Sequence, residues 1–212
     1  MANTVCCTNW EQAGQEPYGW RVHIGLEEYR AIKRISKRDA DYDTFRREAL
    51  VLKELRHPGI PMIYDLEEDS EFFYLIEEYL EGYSLYALIA NQGPIQEAEA
   101  VRYGMQVCGL VAYMHSACEL PILHLDLQPN NLIICNGTVK LIDFDHAAGC
   151  RWANIAPKRF GTVGCAAPEQ YASDRMLDQR TDIYAIGAVL PFYDSRNPER
   201  GGRTVCRPVG GL

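Results

Sequence analysis

The sequence predicts an α+β fold, in which a small antiparallel β part with one helix precedes a larger and mainly helical part. Three observations favour this fold. Strand-like alternation of apolar and polar residues occurs early in the chain, at residues 29–35 and 72–79. Residues 95–116 have the apolar spacing of a long amphipathic helix. Residues 181–190 are mainly apolar and predict a further helix, capped by Thr181.

The amino-acid composition is that of a globular protein and argues against several classes of function. The 212 residues are 47% hydrophobic and 24% charged, and the formal net charge is −8. This charge argues against a nucleic-acid partner and against an anionic membrane surface. No apolar run approaches the roughly 18 residues that span a bilayer, and no secretory signal opens the chain. Eight scattered cysteines without a C-x-x-C pair indicate reduced thiols and a cytoplasmic location.

The first part of the chain is predicted to hold three strands and one helix. Residues 1–20 have little periodicity and are expected to be irregular. The strand at residues 29–35 is followed by a helix at residues 41–55, which begins with aspartates and ends at a His-Pro-Gly sequence. Two further strands, at residues 60–65 and 72–79, flank an acidic turn.

The second part is predicted to begin with helices at residues 85–90 and 95–116. Two short strands follow, at residues 131–134 and 138–142. The Asn136-Gly137 dipeptide between them is the strongest short signal for a β-hairpin. Such a hairpin brings the start of its first strand and the end of its second strand to one edge.

Three polar side chains beside this hairpin suit the chemistry of phosphoryl transfer. Asp126 precedes the first strand, Asn131 begins it, and Asp143 follows the second. Mg²⁺ prefers a few protein oxygen ligands in addition to the phosphate oxygens of a nucleotide, so Asn131 and Asp143 are the candidate metal ligands. Asp126 is then available to orient an attacking hydroxyl group and to accept its proton.

These residues stand in a pattern that resembles the catalytic domain of eukaryotic-type serine/threonine protein kinases, a type that bacteria also have. The family pattern is H-R-D-x-x-x-x-N followed by D-F-G. His124, Asp126 and Asn131 match the first motif, and Asp143-Phe144 matches the second, at about the family's separation. Ala167-Pro168-Glu169 resembles the A-P-E sequence that closes the activation segment.

The resemblance implies the two-lobed fold of that family, with a partial small lobe at residues 21–81 and a partial large lobe at residues 82–190. It covers about residues 21–190, so the domain is expected to be truncated at both ends. Residues 147–166 would form an irregular activation segment. Residues 191–212 are rich in Arg, Gly and Pro and are expected to form a disordered tail.

The resemblance also implies ATP and Mg²⁺ as cofactors and a protein with a Ser or Thr hydroxyl group as the substrate. Lys33, fixed by Glu48, would hold the phosphates, and Gln128 would assist at the γ-phosphate. Thr162 would hydrogen-bond near Asp126 and shape the substrate groove. The backbone groups expected to bind the adenine edge are those of Glu78, Tyr79 and Leu80.

Simpler interpretations stay open for several of these residues. Lys33 and Glu48 also suit solvated surface positions, and Thr162 also suits an ordinary turn. Glu77 aligns with the back of the adenine pocket, which is mostly apolar, so it either turns away from the adenine or the alignment is off by one residue. Asp182 aligns with the acid that holds the catalytic-loop backbone, and a buried acid needs such partners.

The chain departs from the family pattern at four places. No G-x-G-x-x-G sequence precedes Lys33, so the loop that folds over phosphates and the first strand are expected to be missing. Leu125 replaces the Arg through which activation-loop phosphorylation acts, so we expect no control of that kind. Gln128 replaces a Lys and brings no positive charge. Asp145 replaces the flexible glycine of D-F-G.

Two functions of different classes remain open. The first is an ATP-dependent protein kinase that phosphorylates Ser or Thr, which the retained site residues favour. The second is a pseudokinase-like binding module or an inactive fragment, which the missing glycine loop and the shortened large lobe favour. A small-molecule phosphotransferase of the same fold is a third, and Ala167-Pro168-Glu169 argues against it. No feature of the sequence indicates an oligomeric state.

Overall fold

The computed structural model describes residues 18–23, 28–38, 42–149, 161–172 and 176–190. It confirms the predicted fold of a small β lobe with one helix and a mainly helical large lobe. The elements of the small lobe are β1 (Tyr18–His23), β2 (Glu28–Ser36), α1 (Tyr42–Glu54), β3 (Ile63–Glu68) and β4 (Phe72–Glu78). Those of the large lobe are β5 (Tyr83–Ser84), α2 (Leu85–Gln92), α3 (Glu97–Ser116), β6 (Ile122–Leu123), β7 (Leu132–Cys135), β8 (Thr138–Leu141), β9 (Ala148–Gly149) and α4 (Gln179–Val189).

The small lobe is built on an antiparallel sheet with the strand order β1-β2-β4-β3. Its register sets Lys33 opposite Leu75 and Ala31 opposite Glu77. Strand β1 begins at Tyr18 and so lies partly within residues 1–20, which were expected to be irregular. Residues 1–17 lie outside the described part of the chain.

Strand β3 begins and ends three residues later than predicted, for local reasons. Before it, the Ile60 amide donates a hydrogen bond to the His57 carbonyl (2.9 Å), and this turn precludes an earlier start. After it, the Asp69 carboxylate accepts hydrogen bonds from the amides of Glu71 (2.7 Å) and Phe72 (2.8 Å). An aspartate that satisfies its own turn in this way fixes where the chain reverses.

Helix α1 and the turn after it pack on the sheet through Ala49, Leu52 and Leu55, all buried; Leu55 directly follows the last helical residue. Phe73 and Leu75 of β4 belong to the same core. The spacing of three residues between Ala49 and Leu52 is that of one buried helix face. This packing sets the neighbouring side chain, Glu48, against the sheet as well.

In the large lobe, α3 starts at Glu97, two residues after the predicted start, and its buried face forms the centre of the lobe. The buried residues of this face are Tyr103, Gly104, Val107, Leu110, Val111 and Met114. Helix α2 begins after Ser84, whose hydroxyl group accepts a hydrogen bond from the Ala87 amide (3.1 Å). No helix in the described residues is long and apolar enough to cross a membrane.

The hairpin of β7 and β8 has the predicted turn. Asn136 and Gly137 have φ angles of 49° and 81°, as the two central residues of a type I′ turn require. Leu132 pairs with Leu141 in the hairpin, and the Ile142 amide donates a hydrogen bond to the Asn131 carbonyl (2.9 Å). The residues on either side of the hairpin therefore meet at one edge.

The prediction that Thr181 caps α4 is wrong. The capping residue is Asp178, whose carboxylate accepts a hydrogen bond from the Arg180 amide (2.9 Å). The buried Thr181 hydroxyl group instead donates to Glu169 (3.0 Å) and ties α4 to the end of the activation segment. Of that segment, Ala148 and Gly149 pair with β6, while residues 150–160 and 191–212 lie outside the described ranges.

Candidate active site

The Asp126 carboxylate is the centre of a hydrogen-bond network in the loop before β7. The Thr162 hydroxyl group donates to one oxygen (2.8 Å) and the Gln128 amide nitrogen donates to the other (2.9 Å). The Asn131 amide nitrogen donates to the Asp126 backbone carbonyl (2.9 Å) and to its carboxylate (3.2 Å). These bonds fix the direction of the carboxylate while leaving it partly exposed to the cleft.

Asp182 holds the backbone of this loop, as the resemblance implies. Its buried carboxylate accepts hydrogen bonds from the amides of His124 (3.0 Å) and Leu125 (2.9 Å) and from the ring of His115 (2.9 Å). The buried Gln170 side chain donates to the Leu125 carbonyl (2.7 Å). A buried carboxylate is tolerated here because every neighbour is a donor.

Leu125 has a φ angle of 66°, a left-handed conformation that leucine rarely adopts. The hydrogen bonds at its amide and carbonyl groups support this strained backbone. Its side chain packs in a small apolar cluster with Leu123, Ala148 and Leu177. The position that carries an Arg in the family therefore serves apolar packing in this chain.

His124 joins the loop to the segment after β8. Its Nε2 atom donates to the Ile142 carbonyl (3.2 Å), and its Nδ1 atom accepts from the Asp126 amide (3.3 Å). Burial lowers the pKa of His124 below its usual value, which agrees with a neutral ring that donates on one side and accepts on the other. The ring packs edge-on against Phe144, with centroids 4.9 Å apart.

Lys33 joins the two lobes at a partly buried cluster of charges. Its ammonium group lies 3.0 Å from Glu48 on α1 and 3.3 Å from Asp143 after β8. It also contacts Asp145. Lys33 and Glu48 are both buried, so the open interpretation of two solvated surface residues is excluded.

One ammonium group thus faces three carboxyl groups, and the pKa values of Glu48 and Asp145 shift in opposite directions. Burial raises the pKa of Glu48, although the charge of Lys33 lowers it. Burial also opposes ionisation of Asp145, but the hydrogen bond from Glu48 and the charge of Lys33 outweigh this effect and lower the pKa of Asp145. A proton on Glu48 that is shared with Asp145 relieves the repulsion between neighbouring carboxylates.

The donor set beside the cluster fits a hard cation such as Mg²⁺. Oxygen atoms of Glu48, Asp143 and Asp145 lie within 4.8 Å of one another. The nitrogen of the Asn131 side chain is engaged with Asp126, which leaves its amide oxygen as the second predicted ligand. These are the oxygen ligands that Mg²⁺ accepts together with phosphate oxygens.

The predicted adenine-binding segment follows β4 directly. The Glu78 amide already donates to the Met62 carbonyl (2.8 Å), so this amide is not available to a base. The Glu78 side chain pairs with Lys140 (2.7 Å). Tyr79 packs against Tyr29 with ring centroids 5.5 Å apart. The backbone carbonyl of Glu78 and the backbone of Tyr79 and Leu80 remain the predicted contacts.

The register between β2 and β4 shows which face of the sheet carries Glu77. Because side chains alternate along a strand and Ala31 pairs with Glu77 while Lys33 pairs with Leu75, Glu77 lies on the same sheet face as Lys33. Burial and the charges of Asp143 and Asp145 raise the pKa of Glu77 to about 7, although Lys33 lowers it. Glu77 therefore faces the cleft.

Two contacts at the site were missed from the sequence. Asp145 was considered only as a replacement for glycine, yet it contacts Lys33. Its carboxyl group two residues after a predicted metal ligand was a signal for that contact. Gln170, which holds the Leu125 carbonyl, had no signal, because a glutamine after A-P-E is unremarkable in the sequence.

Known proteins with similar sequences share one type of domain. The family model described as a protein kinase domain matches residues 21–197. Serine/threonine-protein kinase PrkC of Bacillus subtilis is 36% identical over 149 residues, which are 69% of this chain and 22% of that protein. Aurora kinase of Eremothecium gossypii is 34% identical over 170 residues, 75% of this chain and 44% of that protein. Calcium-dependent protein kinase 5 of Plasmodium falciparum is 31% identical over 183 residues, 80% of this chain and 31% of that protein.

The chain spans less than half the length of each of these three relatives. The family match includes both lobes and the contacts around Lys33 and Asp126, since all of them lie between residues 21 and 197. The match and the two-lobed fold agree. This chain belongs to the protein kinase family.

Proposed function

We propose that this chain binds Mg²⁺ and ATP and transfers the γ-phosphoryl group to a serine or threonine hydroxyl group of a protein. The observation that carries the proposal is the buried Lys33 ammonium group, which meets Glu48 of the small lobe and Asp143 of the large lobe. A lysine held by carboxylates in a cleft suits the phosphates of a nucleotide. PrkC is by name a serine/threonine-protein kinase, which supports this choice of acceptor.

In this proposal Asp126 is the base. Its two oxygens are oriented by Thr162 and Gln128. Asn131 donates to the same oxygen as Gln128, so the oxygen that accepts from Thr162 has the lone pair that can take the substrate proton. The hydroxyl oxygen of the substrate forms a bond to the γ-phosphorus while its proton passes to Asp126. The bond from the γ-phosphorus to the bridging oxygen breaks, and ADP leaves with that oxygen.

Lys33 would hold the α- and β-phosphates, exchanging its contact with Asp145 for phosphate oxygens. Glu48 would keep the ammonium group in position, which lowers the entropic cost of orienting it. Asn131 and Asp143 would hold Mg²⁺, which supplies positive charge next to the phosphate oxygens when it is bound. The backbone of residues 78–80 would hold the adenine edge.

Gln128 makes the positive charge at the γ-phosphate smaller than in the family pattern. Its amide nitrogen donates to Asp126 (2.9 Å), so it would assist the transferred group with a hydrogen bond. A neutral donor stabilises the charge that develops in the transition state less than a cation does. A slow transfer is therefore expected of this chain.

Two substitutions separate nucleotide binding from transfer. We expect Asp143→Asn to abolish the Mg²⁺-dependent rise in melting temperature with ATP, because this change removes a charged ligand. We expect Asp126→Asn to keep that rise and to lower phosphate transfer to casein by about 100-fold or more, because it removes the base. Melting curves and transfer of labelled phosphate measure the two effects.

The matched control is Asp65→Asn, because Asp65 is exposed on β3 outside the cleft. It should change neither measurement. Equal losses of binding and transfer in the Asp126 and Asp143 variants would contradict the separate roles. A wild-type chain whose melting temperature does not change at millimolar Mg²⁺·ATP would overturn the proposed function itself.

A further inference from the structure

Glu77 is a carboxylate of the cleft that the proposed reaction does not use. It lies in β4 opposite Ala31, two residues beyond the position that pairs with Lys33. Residues two apart on a strand share a face and lie about 7 Å apart along it. Glu77 is therefore one step from the phosphate-binding lysine towards residues 78–80, where the base is expected.

The Glu77 carboxylate has no fixed partner in the described part of the chain. Its neighbours differ in this respect: Glu48, Asp143 and Asp145 contact Lys33, and Glu78 pairs with Lys140. Among the described residues, no hydrogen bond or ion pair ends on the Glu77 side chain, although it is partly buried. A partly buried acceptor without a donor is costly, so a ligand that brings a donor to this position would be favoured.

We propose that Glu77 selects the purine base of the nucleotide by accepting a hydrogen bond from the 6-amino group of adenine. This inference rests on the proposed function, in which the backbone of residues 78–80 holds the edge of the base. That edge carries the substituent at carbon 6, which is an amino donor in adenine and a carbonyl acceptor in guanine. Glu77 directly precedes this backbone and faces the same cleft.

An ionised carboxylate accepts hydrogen bonds and cannot donate them. It therefore binds the amino group of adenine through a hydrogen bond, whereas the carbonyl oxygen of guanine would face a negative charge. A buried polar group that loses its partner gives stronger discrimination than a change in size alone. The charged groups that face Glu77 are Lys33 from β2 and Asp143 and Asp145 from the segment after β8. None of these three is a neutral hydrogen-bond donor to the base.

The test compares the affinities of the Mg²⁺ complexes of ADP and GDP by titration calorimetry. The diphosphates avoid turnover, and a pH of about 8.5 keeps Glu77 ionised in the wild type. We expect the wild type to prefer ADP. In Glu77→Gln the preference should fall roughly ten- to hundredfold, because an amide can rotate to donate to the guanine carbonyl. Glu77→Met, which neither donates nor accepts in this way, should lie between the two.

The matched control is Glu71→Gln, because Glu71 is exposed in the turn at the other end of β4. It should leave the ratio of the two affinities unchanged. If Glu77 had only a structural role, its substitution would change both affinities together and keep their ratio. A preference for ADP over GDP that falls from the wild type to Glu77→Met and further to Glu77→Gln is therefore specific to base selection. Melting curves of the free variants confirm that they are folded.

The outcomes separate this inference from the proposed function. A wild type that binds ADP and GDP equally well overturns the role of Glu77 and leaves the proposed function in place. An ADP preference that is the same in Glu77→Gln, Glu77→Met and the wild type also overturns it. A wild type that binds neither diphosphate overturns the proposed function and, with it, this inference.

Discussion

Glu77 should make the stability of the free protein depend on pH. Its pKa is raised from 4.5 to about 7 by burial and by neighbouring carboxylates. Between these values the folded state binds more protons than the unfolded state, so the stabilisation is complete below pH 4.5 and is lost as the pH rises to about 7. The Glu77→Gln variant lacks this loss. Its melting temperature should therefore rise relative to the wild type between these pH values and run parallel above them.

Melting temperatures of both proteins across this pH range check the prediction. The difference between the two proteins cancels the titration of the groups that lie away from Glu77, which both proteins share. Glu71→Gln is again the control, since Glu71 is exposed in the turn at the other end of β4. A constant difference for Glu77→Gln would show that the folded protein leaves Glu77 solvated.

For individual residues, the sequence predicted which side chains lie in the cleft better than it predicted their contacts. Asp126, Asn131 and Asp143 could be identified because a short loop and a hairpin fix their spacing within one segment. The contact of Lys33 with Asp145 was signalled only by the short sequence distance from Asp143 to Asp145, and the direction of Glu77 could not be predicted. The first depends on how the two lobes meet, and the second depends on the register between two strands that are far apart in sequence.

Among the elements, the hairpin and the central helix hold two glycines that should respond in opposite ways to alanine. Gly137 has a φ angle of 81°, and a Cβ atom there would lie 3.6 Å from Arg102, so space is available but the conformation is strained. We expect Gly137→Ala to lower the free energy of unfolding by about 1–2 kcal/mol. Gly109 lies within α3 with nothing near a new Cβ atom, so Gly109→Ala should raise it by about 0.5–1 kcal/mol.

Urea denaturation of the two variants measures both effects, and each variant is the control for the other. Equal changes in both would mean that the added methyl group acts through something other than backbone conformation. A stabilising Gly137→Ala would contradict the type I′ turn, because that turn requires a left-handed residue at this position.

Boundaries of elements were predicted less well than their existence, and two of the errors share a cause. In both, a polar side chain bonds to the nearby backbone and overrides the apolar pattern. Asp69 ends β3 by capturing the amides of its own turn, and Asp178 starts α4 ahead of Thr181. Apolar periodicity reports which face is buried, whereas such side chains decide where an element stops.

For the whole molecule, three contacts between the lobes lie in the short segment from Lys140 to Asp145. Lys140 pairs with Glu78 at the end of β4. The Leu141 amide donates to the Gly59 carbonyl (2.8 Å), and Asp143 meets Lys33. The segment that carries the predicted metal ligand therefore helps to position the small lobe, together with the contact of the Arg56 amide with the Tyr113 hydroxyl group of α3 (2.6 Å).

The pair of Lys140 and Glu78 should therefore contribute to stability more than a surface ion pair of similar length. Their side chains are 15% and 32% exposed, whereas Lys37 and Glu68 within the small lobe are 29% and 61% exposed at 2.8 Å. In a double-mutant cycle with Lys140→Met and Glu78→Gln, urea denaturation should give a coupling of about 1 kcal/mol. Glutamine keeps an acceptor for the Met62 amide, which Glu78 also binds (3.2 Å), so the cycle isolates the ion pair.

The same cycle with Lys37→Met and Glu68→Gln is the control, and its coupling should lie near the low end of about 0–0.5 kcal/mol, because solvent screens the more exposed pair. Added salt should lower both couplings, and the coupling between the lobes should fall by the smaller fraction since it is better shielded from solvent. Equal couplings in the two cycles would mean that burial at the junction does not strengthen the pair. In that case the other contacts between the lobes would hold the small lobe in place, among them the backbone bond from Leu141 to Gly59 and the bond from the Arg56 amide to Tyr113.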